Sequence, residues 1–545
     1  MNLRYTKRKL TVFLLATVAF TAFRCTDKFE DYNTDPYGIR DEQLGADFNT
    51  IGLPFKQIQL SIYVNDPAWN TQLQQNLIAD VYSGYMMSPT PFAGNTNNTN
   101  YALVSGWNSY PWSDAYDMVM KPAAKIKSLT QGQYDNFYAW SLILKVEAMH
   151  RVSDIYGPII YSKFGQLNSD GSVDYDSQKD VYYAFFSELK TAIDILTPLA
   201  QQEASLKVIP FQPFDLVYNG SYSKWVKFAN TLRLRLAIRI SDVDPAKAKT
   251  EGEAALANPI GLLVRNSENF AVAIPTTHPL NVINNSWGDI RLGAPVESIL
   301  SGYNDPRLPF YALPAADKVF DEVDGDGNKI PVYKGIRQGI NIDAKVRYGD
   351  YSALVTFPDK ITLMTTAEAW FLRAEAALRG WEGAGDVHTD YENGISSSFQ
   401  QYEAEGLSTY LADDESTPAP YIDPKSIVEG ENDIDEDSPY LGKAKIKWDD
   451  AASFENKLEK IITQKWIAMY PEGQEAWSEF RRTGYPKLFP VVLNKSDGEI
   501  STQAFIKRIK FSSGEYSTNT AGVTKAASLL GGPDTGGTPL WWDVD

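Results

Sequence analysis

Residues Leu363 to Trp381 constrain the fold more than any other stretch of the chain. Leu363, Ala367, Trp370, Phe371, Ala374, Ala377, Leu378 and Trp381 lie on one stripe at the three- and four-residue spacing of an α-helix. Ala374 and Ala377 leave room for a close neighbour, and Glu375 with Arg379 makes an i,i+4 ion pair expected on the outer face. A short Gly-rich turn leads to a second helix with Tyr391, Ile395, Phe399 and Tyr402 on one face. A large helix, a tight turn and a second helix form the tetratricopeptide-type unit of about 34 residues. One such pair cannot bury its own apolar face, so several must stack. The spacing repeats in Tyr134–Ile155 with Val181–Leu196, and in Tyr222–Ile240 with Pro245–Leu256. The expected fold is therefore mostly α. Tetratricopeptide-like helix pairs near 134–196, 222–257 and 363–403 form an α-solenoid half, beside a loop-rich half with short β-hairpins.

The remaining segments are placed by their punctuation. Thr71 to Met87 is helical in pattern and ends at Ser88-Pro89. The following PTPFAGNTNNTN reads as a loop too polar to pack and too long for a simple connector. Residues 260–360 are rich in Pro, Gly, Asn and β-branched side chains and read as loops and short hairpins. Residues 405–445 read as an acidic loop insertion, and the last 35 as Gly-rich coil. Within Asp321–Lys329, Asp324, Asp326 and Asn328 alternate like calcium ligands, with Gly327 at the turn. Counted from Glu322, however, the twelfth position is Tyr333, where a bidentate Glu belongs, so the segment reads as a polar hairpin turn.

The N-terminus has the form of an export signal. Lys7, Arg8 and Lys9 precede an apolar run from Leu10 to Phe23, shorter than the roughly 20 residues of a membrane-spanning helix. Directly behind it stands Cys25, the only cysteine. A lone cysteine cannot form a disulfide within the chain. Its expected chemistry is thioether lipidation after cleavage, so that residues 1–24 are a signal peptide and Cys25 an acylated first residue held on a membrane by two or three chains. Residues 25–45, with Asp27, Glu30, Asp31 and Asp35, form an acidic tether, and 46–545 a single domain. The expected fold is thus stabilised by packing and not by disulfide bridges.

Charge and motif content narrow the function. The chain carries 51 Lys+Arg against 69 Asp+Glu, a net charge of −18. Five of the basic residues fall in the first 24, so the remainder is more acidic still. Such a surface repels nucleic acid and anionic lipid head groups. His150, His278 and His388 are too far apart for a zinc-protease helix, and neither a P-loop nor a G-x-S-x-G elbow occurs. A glycosidase needs only two carboxylates and stays open as an alternative requiring an exposed acidic pair in a deep cleft. A pure helical-repeat scaffold would have no exposed aromatic site.

Aromatic side chains are abundant: 13 Trp, 31 Tyr and 25 Phe. Many must be core, but loop aromatics flanked by Asn or Asp suit a sugar, whose C–H face stacks on a ring while amides satisfy its hydroxyls. Trp107, Asn108, Tyr110 and Trp112 form the first candidate site, with Trp69 and Trp287 in similar settings. Tyr116 reads as core, and Trp112 reads equally well as the start of a core helix (WSDAYDMVMKPAAKI). No metal or cofactor is called for.

Six motifs occur in an order that no generic helical protein requires: KWVKFANTLRLRLAIRI (224–240), NDPRLP (304–309), YKGIRQG (333–339), TAEAWFLRAEAALRGW (366–381), YENGISSSF (391–399) and ITQKWIAMYPEGQEAWSEFRRTGYP (462–486). From Cys25 to the end the chain resembles the SusD/RagB-type outer-membrane lipoproteins of Bacteroidetes, departing from them at Arg24 before the lipid cysteine. The resemblance implies a surface lipoprotein facing the cell exterior. It would hold a glycan, or in some members a peptide, as a lid over a TonB-dependent barrel transporter. It also implies ligand contacts from the segment after the first long helix and from the mid-chain loops. The residues of these motifs themselves read mostly as structural. Ile462, Trp466 and Tyr470 lie four apart on one helical face, and Gly484 with Pro486 stops the helix, with Arg481 and Arg482 expected on backbone carbonyls or buried carboxylates.

Overall fold

A computed structural model describes residues 46–544; the signal peptide, Cys25 and the tether lie outside the described residues. The chain is mostly helical. Nine helices carry the packing discussed below: α1 Lys121–Thr130, α2 Asp135–Tyr156, α3 Gln178–Gln201, α4 Tyr222–Arg239, α5 Pro245–Leu256, α6 Thr366–Leu378, α7 Val387–Tyr402, α8 Phe454–Met469 and α9 Gly473–Thr483. Neighbours in this series pack as α1 on α2, α2 on α3, α3 on α4, α4 on α5 and α6 on α7, while α8 covers both α6 and α7. This is the stacked-pair arrangement expected from the spacing.

Local chemistry sets where the helices begin. Ser177, Ser221, Asp244, Thr365, Asp386 and Ser453 each accept a backbone N–H of the first turn through the side chain. Pro245 at the first position of α5 costs no hydrogen bond, because that N–H has no helical partner. Gly484 ends α9 in the left-handed region, with φ 69°.

Strands are few. Met86–Met87 pairs with Arg291–Leu292, Phe270–Ala273 with Lys360–Met364, and Glu322–Val323 with Lys329–Ile330, all antiparallel. Only the last is a local hairpin, and it is the polar turn read from Asp321–Lys329, with Asp324 Oδ1 accepting the backbone N–H groups of Asp326 and Asn328.

Several segment readings are corrected. The helical reading of 71–87 covers Ala68–Thr71 and Gln72–Asp80 but stops short of Met86, whose backbone joins a strand pair. Helix α6 starts at Thr366, because Lys360–Met364 is drawn into pairing with a strand some ninety residues upstream. The C-terminal coil contains two helices, Ser513–Thr518 and Thr520–Ala527. The loop PTPFAGNTNNTN does pack: Asn95 and Asn97 to Asn100 are buried. Its amides satisfy one another and the backbone. Asn98 Nδ2 donates to Asn108 Oδ1 at 2.7 Å, Asn100 Nδ2 to the Asn95 carbonyl at 2.7 Å, and Asn97 Oδ1 accepts from Thr99 N at 2.9 Å.

The centre of the helical array is ionic. Arg235 is bidentate on Glu368, at 2.8 and 2.6 Å, and Arg482 is bidentate on Glu375, at 2.7 Å for both contacts, all with side chains at most 1% exposed. Arg482 also meets Glu479 at 2.7 Å, and Arg239 holds Glu475 at 2.5 Å and Glu479 at 3.0 Å. Lys465 lies 3.4–3.5 Å from Glu368, Glu475 and Glu479. Glu375 is therefore a core anion, 1% exposed, and its pairing with Arg379 is not on an outer face. Arg481 donates to the carbonyls of Asp154 and Lys507 at 2.7 and 2.8 Å, and Arg482 takes carboxylates, dividing the two expected roles between neighbours. Burial alone would push Glu479 up, but Arg482, Lys465 and Arg239 hold it well below the usual carboxylate range. Glu147, deeper and without a hydrogen bond to either oxygen, is pushed up to about 8 by burial, against the pull of Arg235 and Arg151.

Candidate functional site

The loop aromatics are brought together by contacts among segments distant in sequence. Trp69 sits in the short helix Ala68–Thr71 and is 47% exposed. Tyr110, half-buried at the start of the helix Tyr110–Ala115, meets its ring edge-on at 5.5 Å and 82°. The Ala68–Thr71 helix packs on Pro279–Asn281 and Val282–Ser286, and Trp287 caps the latter, 37% exposed. Trp107 is half-buried, its indole edge-to-face with Phe92 at 5.9 Å. Thr90 donates to Asp289, Asp289 pairs with Lys345 at 2.6 Å, and Lys345 also donates to the Trp287 carbonyl at 2.5 Å. The polar loop thus carries Phe92 to Trp107 at one point and joins the Trp287 segment at another.

The other two candidates lie inside. Trp112 is 6% exposed, stacked on Tyr175 at 5.4 Å and packed against Tyr116 and Tyr156. Its neighbours on the helix face are aromatic, so the ring goes to the core, as does Tyr116. Asn108 is 4% exposed; its Oδ1 is taken by Asn98 and its carbonyl by the Tyr156 hydroxyl at 2.5 Å. Its amide supports the loop and is not presented to solvent.

Two groups absent from the sequence reading stand behind the exposed rings. Asn70 follows Trp69, and Asp114 lies one helical turn after Tyr110; Asn70 Nδ2 donates to Asp114 Oδ1 at 3.3 Å. Burial pushes Asp114 up to about 6, against the hydrogen bond from Asn70. The signal that could have found them is the polar residue beside each aromatic, in AWN and in YPWSD. Phe92 was also missed, because its polar loop was taken to be unpacked.

Chemically, this arrangement offers flat apolar faces with edge-on neighbours that hold them in place. Rings fixed by T-shaped packing pay little entropy on stacking with a ligand. Among the described residues no helix is long and apolar enough to cross a membrane.

Comparison with known proteins defines the class. The chain belongs to the SusD-like family: the family model described as Susd and RagB outer membrane lipoprotein matches residues 31–543. Among solved structures, the chain is similar to a chitin-binding SusD homologue from Flavobacterium johnsoniae, with 47% identity and a TM-score of 0.85, covering 91% of this chain and 99% of that one. It is also similar to a SusD homologue from Bacteroides vulgatus, with 38% identity, a TM-score of 0.83 and coverage of 91% and 98%. A SusD-like protein from Bacteroides thetaiotaomicron follows with 31% identity, a TM-score of 0.81 and coverage of 91% and 99%. A search of curated proteins found no match.

Proposed function

We propose that this protein is a lipoprotein anchored through Cys25 on the outer face of the outer membrane, where it binds a glycan and passes it to a TonB-dependent barrel transporter. The observation that carries the glycan reading is the set of solvent-facing rings, Trp69 and Trp287 with Tyr110 and Trp107 beside them, on loops tied to one another. The chitin-binding relative, 47% identical over 99% of its length, supports a polysaccharide ligand. The family's description as outer membrane lipoproteins supports the anchor. The ligand is held by stacking and is not turned over.

Titrating the lipid-free protein with chito-oligosaccharides and other neutral oligosaccharides, followed by calorimetry, tests the reading. Binding should depend on Trp69 and Trp107 and change little with salt, because stacking on a neutral sugar releases no counterions. Binding that falls steeply with ionic strength would indicate a charged peptide instead. New reducing ends on prolonged incubation would make the protein a hydrolase. Co-purification in mild detergent should recover a large barrel transporter; a free monomer under the same conditions would count against the partnership.

A further inference from the structure

A cavity of about 790 Å³ opens at the seam between the C-terminal end of α7 and the loop-rich half. None of its lining residues belongs to the aromatic face described above. Its size lies within the range of small-molecule sites. One wall is a run of rings. Phe310, 41% exposed, is tilted on Tyr402 at 6.1 Å; behind the lining, buried Tyr311 meets Tyr402 edge-on at 5.1 Å and stacks on Tyr470 at 4.5 Å. Phe357 continues the wall between Tyr470 and His278.

The polar lining is almost wholly uncharged. Asn266, Asn269, Gln400 and Gln401 contribute amides, Lys360 is the only lysine or arginine, and no carboxylate lines the cavity. His278 is neutral as well, since burial holds it down at about 4. The amides on the α7 side are held in place: Asn269 Nδ2 donates to Gln401 Oε1 at 3.0 Å, and Gln400 Nε2 donates to Ser396 Oγ at 3.4 Å. Rings and amides with little charge match a neutral, hydroxyl-rich ring compound. They do not match an anion, which would want cations, or a hydrocarbon, which would leave the amides unsatisfied.

We infer that this cavity is a second carbohydrate site, in which Phe310 and Tyr402 present a stacking face and the amides of Asn269, Gln400 and Gln401 take hydroxyl or acetamido hydrogen bonds. The inference extends the glycan reading but uses different residues, so the two can fail separately. The test is hydrogen–deuterium exchange and calorimetry on the lipid-free protein with neutral hexasaccharides of N-acetylglucosamine, glucose and mannose, and with an uncharged tetrapeptide. At least one hexasaccharide should protect residues 309–313 and 400–402. Phe310→Ala, at an exposed position, should abolish that protection and weaken this binding event by about tenfold or more, leaving binding that depends on Trp69 intact. Gln400→Ala, at an exposed lining position, should weaken it without altering thermal stability. Saccharide binding lost only through Trp69→Ala or Trp107→Ala, with 309–313 and 400–402 unprotected, would overturn the second site and leave the first standing. Binding lost only through Phe310→Ala would leave the cavity standing and overturn the aromatic face. Protection by the tetrapeptide alone would overturn the carbohydrate class.

Discussion

Trp69 and Trp112 show how one residue type takes opposite positions some forty residues apart. Both are loop-proximal tryptophans beside polar residues, yet one is 47% exposed and the other 6%. Trp69→Ala should leave the fold intact and weaken glycan binding by about 1–3 kcal/mol, the scale of one lost aromatic contact. Trp112→Ala should instead cost about 3–5 kcal/mol of stability, because it opens a void among Tyr116, Tyr156 and Tyr175. Urea midpoints and calorimetry on both variants separate the two effects; an unchanged midpoint for Trp112→Ala would show that its ring does not support the core. Glu147 gives a pH prediction. A carboxyl raised to about 8 when folded contributes stability that is complete below its unfolded value of about 4.3 and is lost as pH rises through the folded one. Glu147→Gln cannot ionise, so its midpoint should gain on the wild type between roughly pH 5 and 8. A constant difference across that window would show that Glu147 is ionised throughout.

At the scale of elements, the helix pairs interlock through glycines set against rings. A Cβ on Gly394 would stand 2.6 Å from Phe371, and one on Gly252 2.2 Å from Trp381. Each glycine lies inside a helix, where it is otherwise unfavourable relative to alanine; the close approach of the neighbouring ring is what requires it. Gly394→Ala should gain helix propensity yet lose about 1–3 kcal/mol overall by overpacking α6 against α7. A rise in melting temperature would show that the seam yields. The ionic centre fastens α4, α6, α8 and α9 together. Removing one member leaves the buried cluster one positive charge short, so Arg482→Met should cost about 3–5 kcal/mol by taking the bidentate partner from Glu375 and one of three cations from Glu479. Thermal unfolding checks it, and a loss below about 1 kcal/mol would mean that these carboxylates find other partners.

For the whole molecule, the proposal of a lipid anchor and a barrel partner makes localisation the decisive measurement. Cys25→Ala should release a soluble form that still binds oligosaccharide, since the exposed rings lie far along the chain from residue 25. Wild-type protein on intact cells should be cleaved by added protease, and protection from protease would overturn surface display.

The sequence by itself determined the helical class, because a three- and four-residue apolar stripe is a local property that survives without knowledge of the neighbours. Pro245–Leu256 has the same ends in the sequence reading and in the structure, where Asp244 and Pro245 mark its start. The family was legible for a related reason, since six ordered motifs persist in the linear chain. Tertiary structure alone decided which side chains meet. Glu375 and Arg379 read as a surface pair because i,i+4 spacing says nothing about what covers the helix, and only the arrival of α9 makes Glu375 a core anion. The Asn-rich loop read as unpacked because polarity was taken for exposure, whereas its amides satisfy one another and so can be buried. Leu363 continued the apolar pattern of α6, and only Phe270–Ala273 arriving beside Lys360–Met364 drew it into a strand. The candidate site divided along the same line. Asn/Asp-flanked aromatics could be picked out by composition, but whether a ring faces solvent or fills a core depends on long-range packing, which no local pattern encodes.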